Sequence, residues 1–148
     1  MALTIGIPRE TRDGETRVSL VPDVADRLQQ LHDGLDVLVE SEAGAGAYHS
    51  DADYEDAGCR VVDREEAFGA DVVTKVAAPT DDELGHFSDG QALIGLLDPL
   101  NRPEAAQTLA ERGVTALAME LVPRISRAQK MDALSAMSSI GGYRAAVL

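Results

Sequence analysis

Short apolar runs alternate with amphipathic stretches along the whole chain. Leu3–Ile7 reads as a first strand, ended by Pro8. Val21, Val24, Ala25, Leu28 and Leu31 then recur at helical spacing, and Gly34 stops that helix. Leu35–Glu40 is a second strand and Arg60–Val62 a short third. Residues 71–76 are rich in β-branched side chains and predict a fourth strand, 91–97 a fifth, and 114–119 a sixth. Asp63 with Glu66, and Thr80 with Glu83, have the spacing of a capping box, in which a side chain and a backbone N–H satisfy each other reciprocally. Asn101 or a neighbour caps a helix that runs through Arg112 and is closed by Gly113. A last helix is expected from about Ser126, where Ser126 and Gln129 form another capping-box pair. Strands alternating with helices predict an α/β fold, a largely parallel sheet flanked by helices with Rossmann-like topology. The pattern shows no linker, so residues 1–148 read as a single domain. The last helix passes Gly141-Gly142 to Leu148 without a stop signal, which reads as an interruption.

Composition narrows the classes. The chain has 148 residues, enough to bury a proper core, and 45% of them are hydrophobic. Aromatics are only 3% with no Trp, so Val, Leu, Ile and Ala must pack that core. The formal net charge is −13. A surface so acidic repels nucleic acid and anionic membrane, which removes both as partners. It also fits a halophilic, salt-rich cytoplasm, where charges are screened within about 3 Å at 1 M salt. Cys59 is the single cysteine, so no internal disulfide can form and a reducing, cytoplasmic compartment is expected. Its apolar neighbours Val61 and Val62 make it a buried structural thiol rather than a nucleophile. No apolar stretch approaches the roughly 20 residues that span a bilayer, so the chain is not expected to insert into one directly.

Two motifs invite chemistry. Gly44-Ala45-Gly46 follows the second strand, but a dinucleotide fingerprint needs a third glycine where this chain has His49. The expected fold is therefore Rossmann-like without the Gly-x-Gly-x-x-Gly loop, and the glycines read as a turn. The second motif runs from Val122 through Pro123, Arg124, Ile125, Ser126, Arg127, Ala128 and Gln129 to Asp132 and Ser135. It follows a strand and opens a helix, and ligands of open α/β sheets sit at the carboxyl ends of strands, where helix N-termini point free N–H groups. Arg124 and Arg127 add two cations there, suited to a phosphate or a carboxamide. On a continuous helix Gln129, Asp132 and Ser135 would share an arc of about 120°, with Met131, Leu134 and Met137 elsewhere. A solvated amphipathic face explains the same spacing equally well. His32 and His49 lack ligand spacing, and no metal site is expected.

The 122–144 segment closely resembles the part of the alpha subunit of proton-translocating NAD(P) transhydrogenase that lines its NAD(H) site. The opening Ile5-Gly6-Ile7-Pro8-Arg9-Glu10 and Glu15-Thr16-Arg17-Val18 are similar to the start of the alanine dehydrogenase/transhydrogenase N-terminal domain. Glu42 to Gly46, Ala57-Gly58, and Thr74-Lys75-Val76 with Pro79 follow in that family's order. The resemblance implies that Arg124, Ile125, Ser126, Arg127, Gln129, Asp132 and Ser135 bind cofactor. Arg124 would contact the nicotinamide carboxamide or a nearby phosphate, steadied by Asp132 and Ser135. Gln129 would reach towards NADP(H) on a partner beta subunit, which with Asp132 gives the pair closest to catalysis. Hydride transfer between two nicotinamides needs reacting atoms roughly 3–3.5 Å apart and no acid–base residue, so positioning is the protein's main task.

The same resemblance implies an enzyme part rather than a whole enzyme. The C-terminal helix, about 126–148, would lead into a missing NAD-binding Rossmann domain. Partners would be the transhydrogenase membrane and beta subunits and a second alpha subunit, forming a homodimer. The location would be the inner face of the cell membrane, held there peripherally, with hydride transfer coupled to proton translocation. Two other readings stay open. Alanine dehydrogenases use an arginine and a lysine matching Arg17 and Lys75 for the substrate carboxylate, and a histidine where this chain has Asp98. Amino-acid oxidation requires a proton acceptor, so Asp98 counts against that reading. A structural ion-pair role for Arg17 and Lys75 is equally compatible with the sequence. The third reading is a non-catalytic assembly or regulatory module.

Overall fold

In the computed structural model, which describes residues 3–148, six strands form one all-parallel sheet. The strands are β1 (Leu3–Ile7), β2 (Leu35–Glu40), β3 (Arg60–Val62), β4 (Val72–Thr74), β5 (Ala92–Gly95) and β6 (Thr115–Ala118). Their order across the sheet is β3-β2-β1-β4-β5-β6. All six expected strands are present; β1, β2 and β3 have the expected bounds, and β4, β5 and β6 are a residue or two shorter at each end. The order is that of a doubly wound Rossmann-like sheet, with its switch point between β1 and β4.

The helices follow from that order. Moving outward from β1 to β3 and from β4 to β6 by right-handed crossovers places helices on opposite faces. Helices α1 (Pro22–Leu31) and α2 (Asp51–Asp56) cover one face, where Ala25, Tyr54 and Cys59 pack on Ile7, Val37 and Val39. Helices α3 (Arg64–Phe68), α4 (Asp81–Leu84) and α5 (Pro103–Glu111) cover the other. There Phe68, Leu84 and Leu109 pack on Val73 and Leu93. β2 is buried on both faces, which is why Val37, Leu38 and Val39 form an uninterrupted apolar run. Gly6 lets α3 lie close on the sheet: a Cβ there would stand 1.9 Å from the Ala67 carbonyl oxygen.

Local signals held in part. Thr80 and Glu83 make the full reciprocal box. Asp63 accepts from the Glu66 N–H, but the Glu66 carboxylate turns to Arg60 at 2.7 Å, so that box is only half formed. Asn101 does not cap α5; its amide donates to Asp98, and the helix starts at Pro103 after Arg102 with no side-chain cap.

The C-terminal helix departs most from expectation. Residues Ser126–Met131 form a 3-10 helix preceded by Ile125 with no side-chain cap, so the Ser126–Gln129 box is absent. The helix is interrupted at Asp132, and α6 runs Ala133–Val147. The cause is local. The Asp132 carboxylate accepts from the Ser135 N–H at 2.9 Å and the Ser135 hydroxyl at 2.5 Å, which starts a new helix and ends the old one. Gln129, Asp132 and Ser135 therefore do not lie along one continuous helical face.

Candidate functional site

The crevice at the switch point opens beyond Ile7 and Thr74, the carboxyl ends of β1 and β4. The chain fills it largely with its own charges. Lys75 follows β4, and its ammonium lies 3.1 Å from Glu10 and 3.3 Å from Glu83, with all three side chains almost fully buried. Arg64 reaches Glu83 at 2.8 Å and Glu40 at 3.3 Å. Glu83 also accepts from the Thr11 hydroxyl and the Thr80 N–H, and Glu10 from the N–H groups of Val76 and Ala77. Burial on its own would raise the Glu83 carboxyl. The Thr80 N–H, Lys75, Thr11 and Arg64 outweigh it and hold the group below the ordinary carboxylate range.

Lys75 is thus a strut between two carboxylates, which answers the ion-pair alternative for that residue. Arg17 is similarly engaged, with Glu15 at 2.6 and 2.7 Å. That pairing, chiefly the side-chain hydrogen bond, lowers the Glu15 carboxyl and raises the Arg17 guanidinium. The network escapes sequence reading because its members lie up to 73 positions apart, and Glu83 already had a local explanation as a cap. Its only local signal is charge placed just after strand ends, as in Arg9-Glu10 and Lys75.

Beside this network lies a cavity of about 540 Å³, bounded by Arg17, Ser19, Thr74, Lys75, Met119 and Met137. A smaller one of about 260 Å³ adjoins it, where Arg12, Asp98, Arg102 and Glu120 converge. Both lie under the start of α6. Asp98, after β5, has φ of 50°, a left-handed turn that Asp tolerates better than most residues. No histidine reaches this region: His86 stacks on Phe68 at 5.0 Å, and His49 lies against Tyr54 at 6.4 Å.

The residues singled out in the second motif sit just past β6, on the same carboxyl edge. Arg124, Ile125, Ser126, Arg127 and Gln129 are exposed, and Asp132 is half-buried. Among the described residues neither Arg124, Arg127 nor Lys130 has a carboxylate within salt-bridge distance. Asp132 is held below its ordinary range chiefly by the Ser135 hydroxyl and N–H, with a contribution from the Arg124 charge. The structure thus brings Arg124, Asp132 and Ser135 to one locality while leaving Gln129 on the preceding turn. Three cations without a carboxylate partner therefore cluster here, in a chain of net charge −13, beside Arg12 and Arg102 of the neighbouring cavity. The Gly44-Ala45-Gly46 segment is a tight turn packed on Thr16, Tyr54 and His49, as the missing third glycine predicts. Cys59 is buried, and burial together with Asp26 pushes its thiol up to about 11. Among the described residues there is no group of side chains fit to hold a metal, and no helix is long and apolar enough to cross a membrane.

Residues 6–141 match the family described as alanine dehydrogenase/PNT, N-terminal domain. The NAD(P) transhydrogenase subunit alpha of Haemophilus influenzae is 39% identical over 145 residues, covering 98% of this chain and 28% of that protein. The alanine dehydrogenase of Bacillus subtilis is 36% identical over 145 residues, covering 97% of this chain and 37% of that one. The crystal structure of a transhydrogenase from Sinorhizobium meliloti superposes with a TM-score of 0.92 at 39% identity, over 97% of this chain and 43% of the other. The chain therefore spans less than half the length of each of these relatives.

Proposed function

The chain belongs to the alanine dehydrogenase/PNT N-terminal domain family, and from that membership we propose that it forms one wall of the NAD(H) site in the alpha subunit of a proton-translocating NAD(P) transhydrogenase. The observation that carries this reading is the cluster of Arg124, Arg127 and Lys130 just past β6, exposed on the carboxyl edge and without a carboxylate partner among the described residues. When bound, NADH supplies a hydride that passes to NADP+ on a separate beta subunit, oxidising one nicotinamide and reducing the other. Arg124 binds the carboxamide or a phosphate, and Asp132 with Ser135 steadies it. Ile125, Ser126 and Arg127 line the same turn, and Gln129 faces the partner nucleotide. Direct exchange needs no proton acceptor, which suits a site without histidine.

In this reading α6 joins the domain to a nucleotide-binding Rossmann segment. Ile140 and Tyr143 on α6 are 62% and 73% exposed, and such apolar surface fits packing against a further domain. The membrane and beta subunits and a second alpha subunit complete the assembly at the inner face of the cell membrane. The amino-acid dehydrogenase reading has less support. Lys75 and Arg17 are both paired with glutamates, and Asp98 stands where that chemistry places a histidine.

The test is NADH titration of this chain, alone and joined to a nucleotide-binding segment, followed by hydride exchange with a beta subunit present. The isolated chain should bind weakly or not at all. In the joined form Arg124→Ala should weaken NADH binding, and Gln129→Ala should slow exchange more than binding. Undiminished uptake and exchange in both variants would overturn the proposal, and alanine-dependent NAD reduction would favour the dehydrogenase. Complete absence of NADH binding in the joined form would favour a non-catalytic module.

A further inference from the structure

The segment that carries the proposed cofactor residues is tied to the domain at one polar point. Glu120 lies in the 3-10 helix Met119–Leu121, directly after β6. Its carboxylate accepts from the Leu97 N–H at 3.2 Å and also from the Asp98 N–H. These are consecutive backbone donors at the carboxyl end of β5, and the left-handed turn at Asp98 presents them together. Adjacent N–H groups in such a turn form a concave anion site, and here the chain fills it with its own carboxylate.

The tie stands almost alone. Among the described residues, the hydrogen bonds made by residues 121–148 stay within residues 119–148: Val122 to Met119, Ile125 to Pro123, Ala128 to Ile125, Asp132 to Gln129, and the Asp132–Ser135 pair. Among the described residues, beyond the β6 ladder, only Glu120 makes a hydrogen bond from this C-terminal segment back to the rest of the domain, at Leu97 and Asp98 just past β5. Arg124 is four residues further on. A loop that carries cations through exposed residues has low local stability unless its root is fixed.

We propose that Glu120 is the positioning residue of the site: by bridging the β5 and β6 ends it sets where the Arg124–Gln129 turn stands on the carboxyl edge. The inference concerns the root of that turn, and its consequence for NADH rests on the function proposed above. Glu120 itself touches no cofactor in this account. Glu120→Ala removes both acceptor positions, and Glu120→Gln keeps one.

Two measurements test it. In the 148-residue chain, amide hydrogen exchange should accelerate by about tenfold or more at Leu97, Asp98 and residues 121–131 in Glu120→Ala, with β1, β2 and β4 unchanged. Glu120→Gln should fall between, which a general loss of fold would not produce. In the chain joined to a nucleotide-binding segment, NADH affinity should drop about tenfold in Glu120→Ala, since small misplacements of positioning groups carry large penalties. Unchanged exchange at 121–131 in both variants overturns the inference. So does unchanged NADH affinity in a protein where Arg124→Ala weakens binding. If Arg124→Ala is silent as well, the parent reading fails, and the exchange measurement alone decides the role of Glu120.

Discussion

Replacing Lys75 by Met probes the charge network that fills the switch-point crevice. The side chains of Lys75, Glu10 and Glu83 are 1%, 4% and 2% exposed, so the substitution leaves two buried carboxylates without their shared cation. Breaking a buried pair by removing one partner costs about 3–5 kcal/mol. Glu83 keeps Arg64, Thr11 and the Thr80 N–H, and Glu10 keeps two backbone donors, which places the expected loss at the lower end, about 3 kcal/mol. For a domain of this size that corresponds to a fall in Tm of about 10 °C. The sign of the pH dependence follows from Glu83. Its folded carboxyl is depressed, so its stabilisation is present above the unfolded value, near pH 4, and is lost as pH falls through the folded value. The deficit should be full at pH 7 and shrink in acid. Urea unfolding followed by circular dichroism at both ends of that range measures it. A deficit under about 1 kcal/mol at neutral pH, or an equal deficit at about pH 3, refutes the network as described.

Three further outcomes are expected. Gly6→Ala should cost about 3 kcal/mol or more, because its Cβ collides with the Ala67 carbonyl; Gly141→Ala, which meets nothing within 4 Å, should instead raise helicity slightly, and thermal scans of both compare them directly. Cys59 is buried with its thiol pushed up to about 11, so a disulfide reagent at pH 8 should react slowly with the native chain and at the ordinary rate in urea. The net charge of −13 predicts stability that rises with KCl as self-repulsion is screened, and equal Tm values in dilute buffer and molar KCl contradict a salt-adapted surface.

Strand positions were legible because each strand carries a β-branched or apolar run bounded by Gly, Pro or a cap, and those signals are local. The break at Asp132 was not read, although its signal is local too. Ser126–Gln129 and Asp132–Ser135 both satisfy a cap template three residues apart, and spacing alone does not rank them. The structure chooses the second because Ser135 offers both its N–H and its hydroxyl to one carboxylate. Glu83 shows another limit. Its Oε2 closes the capping box that the sequence announces, while its Oε1 takes Lys75, Arg64 and Thr11. One residue satisfies a local and a long-range demand, and spacing reveals only the first. Glu120 carries no signal in the sequence, because its partners are backbone groups just past a neighbouring strand.

Open α/β sheets ordinarily take ligands at the switch point, where adjacent strands leave in opposite directions and a crevice opens. Here the innermost part of that place is occupied by Glu10, Lys75 and Glu83, whose charges satisfy one another. A ligand anion arriving there would have to displace a buried carboxylate from a buried ammonium, at a cost set by desolvation. Arg124, Arg127 and Lys130, which have no such partners among the described residues, lie instead beyond β6, on the turn that follows Glu120. With its central charges committed inward, such a domain would, on the function proposed above, share a ligand with a neighbour rather than enclose one. On that proposal the decisive geometry is the placement of the 124–129 turn relative to the sheet, and the Glu120 carboxylate at its root, bonded to the Leu97 and Asp98 N–H groups, would set what the exposed side chains on it reach.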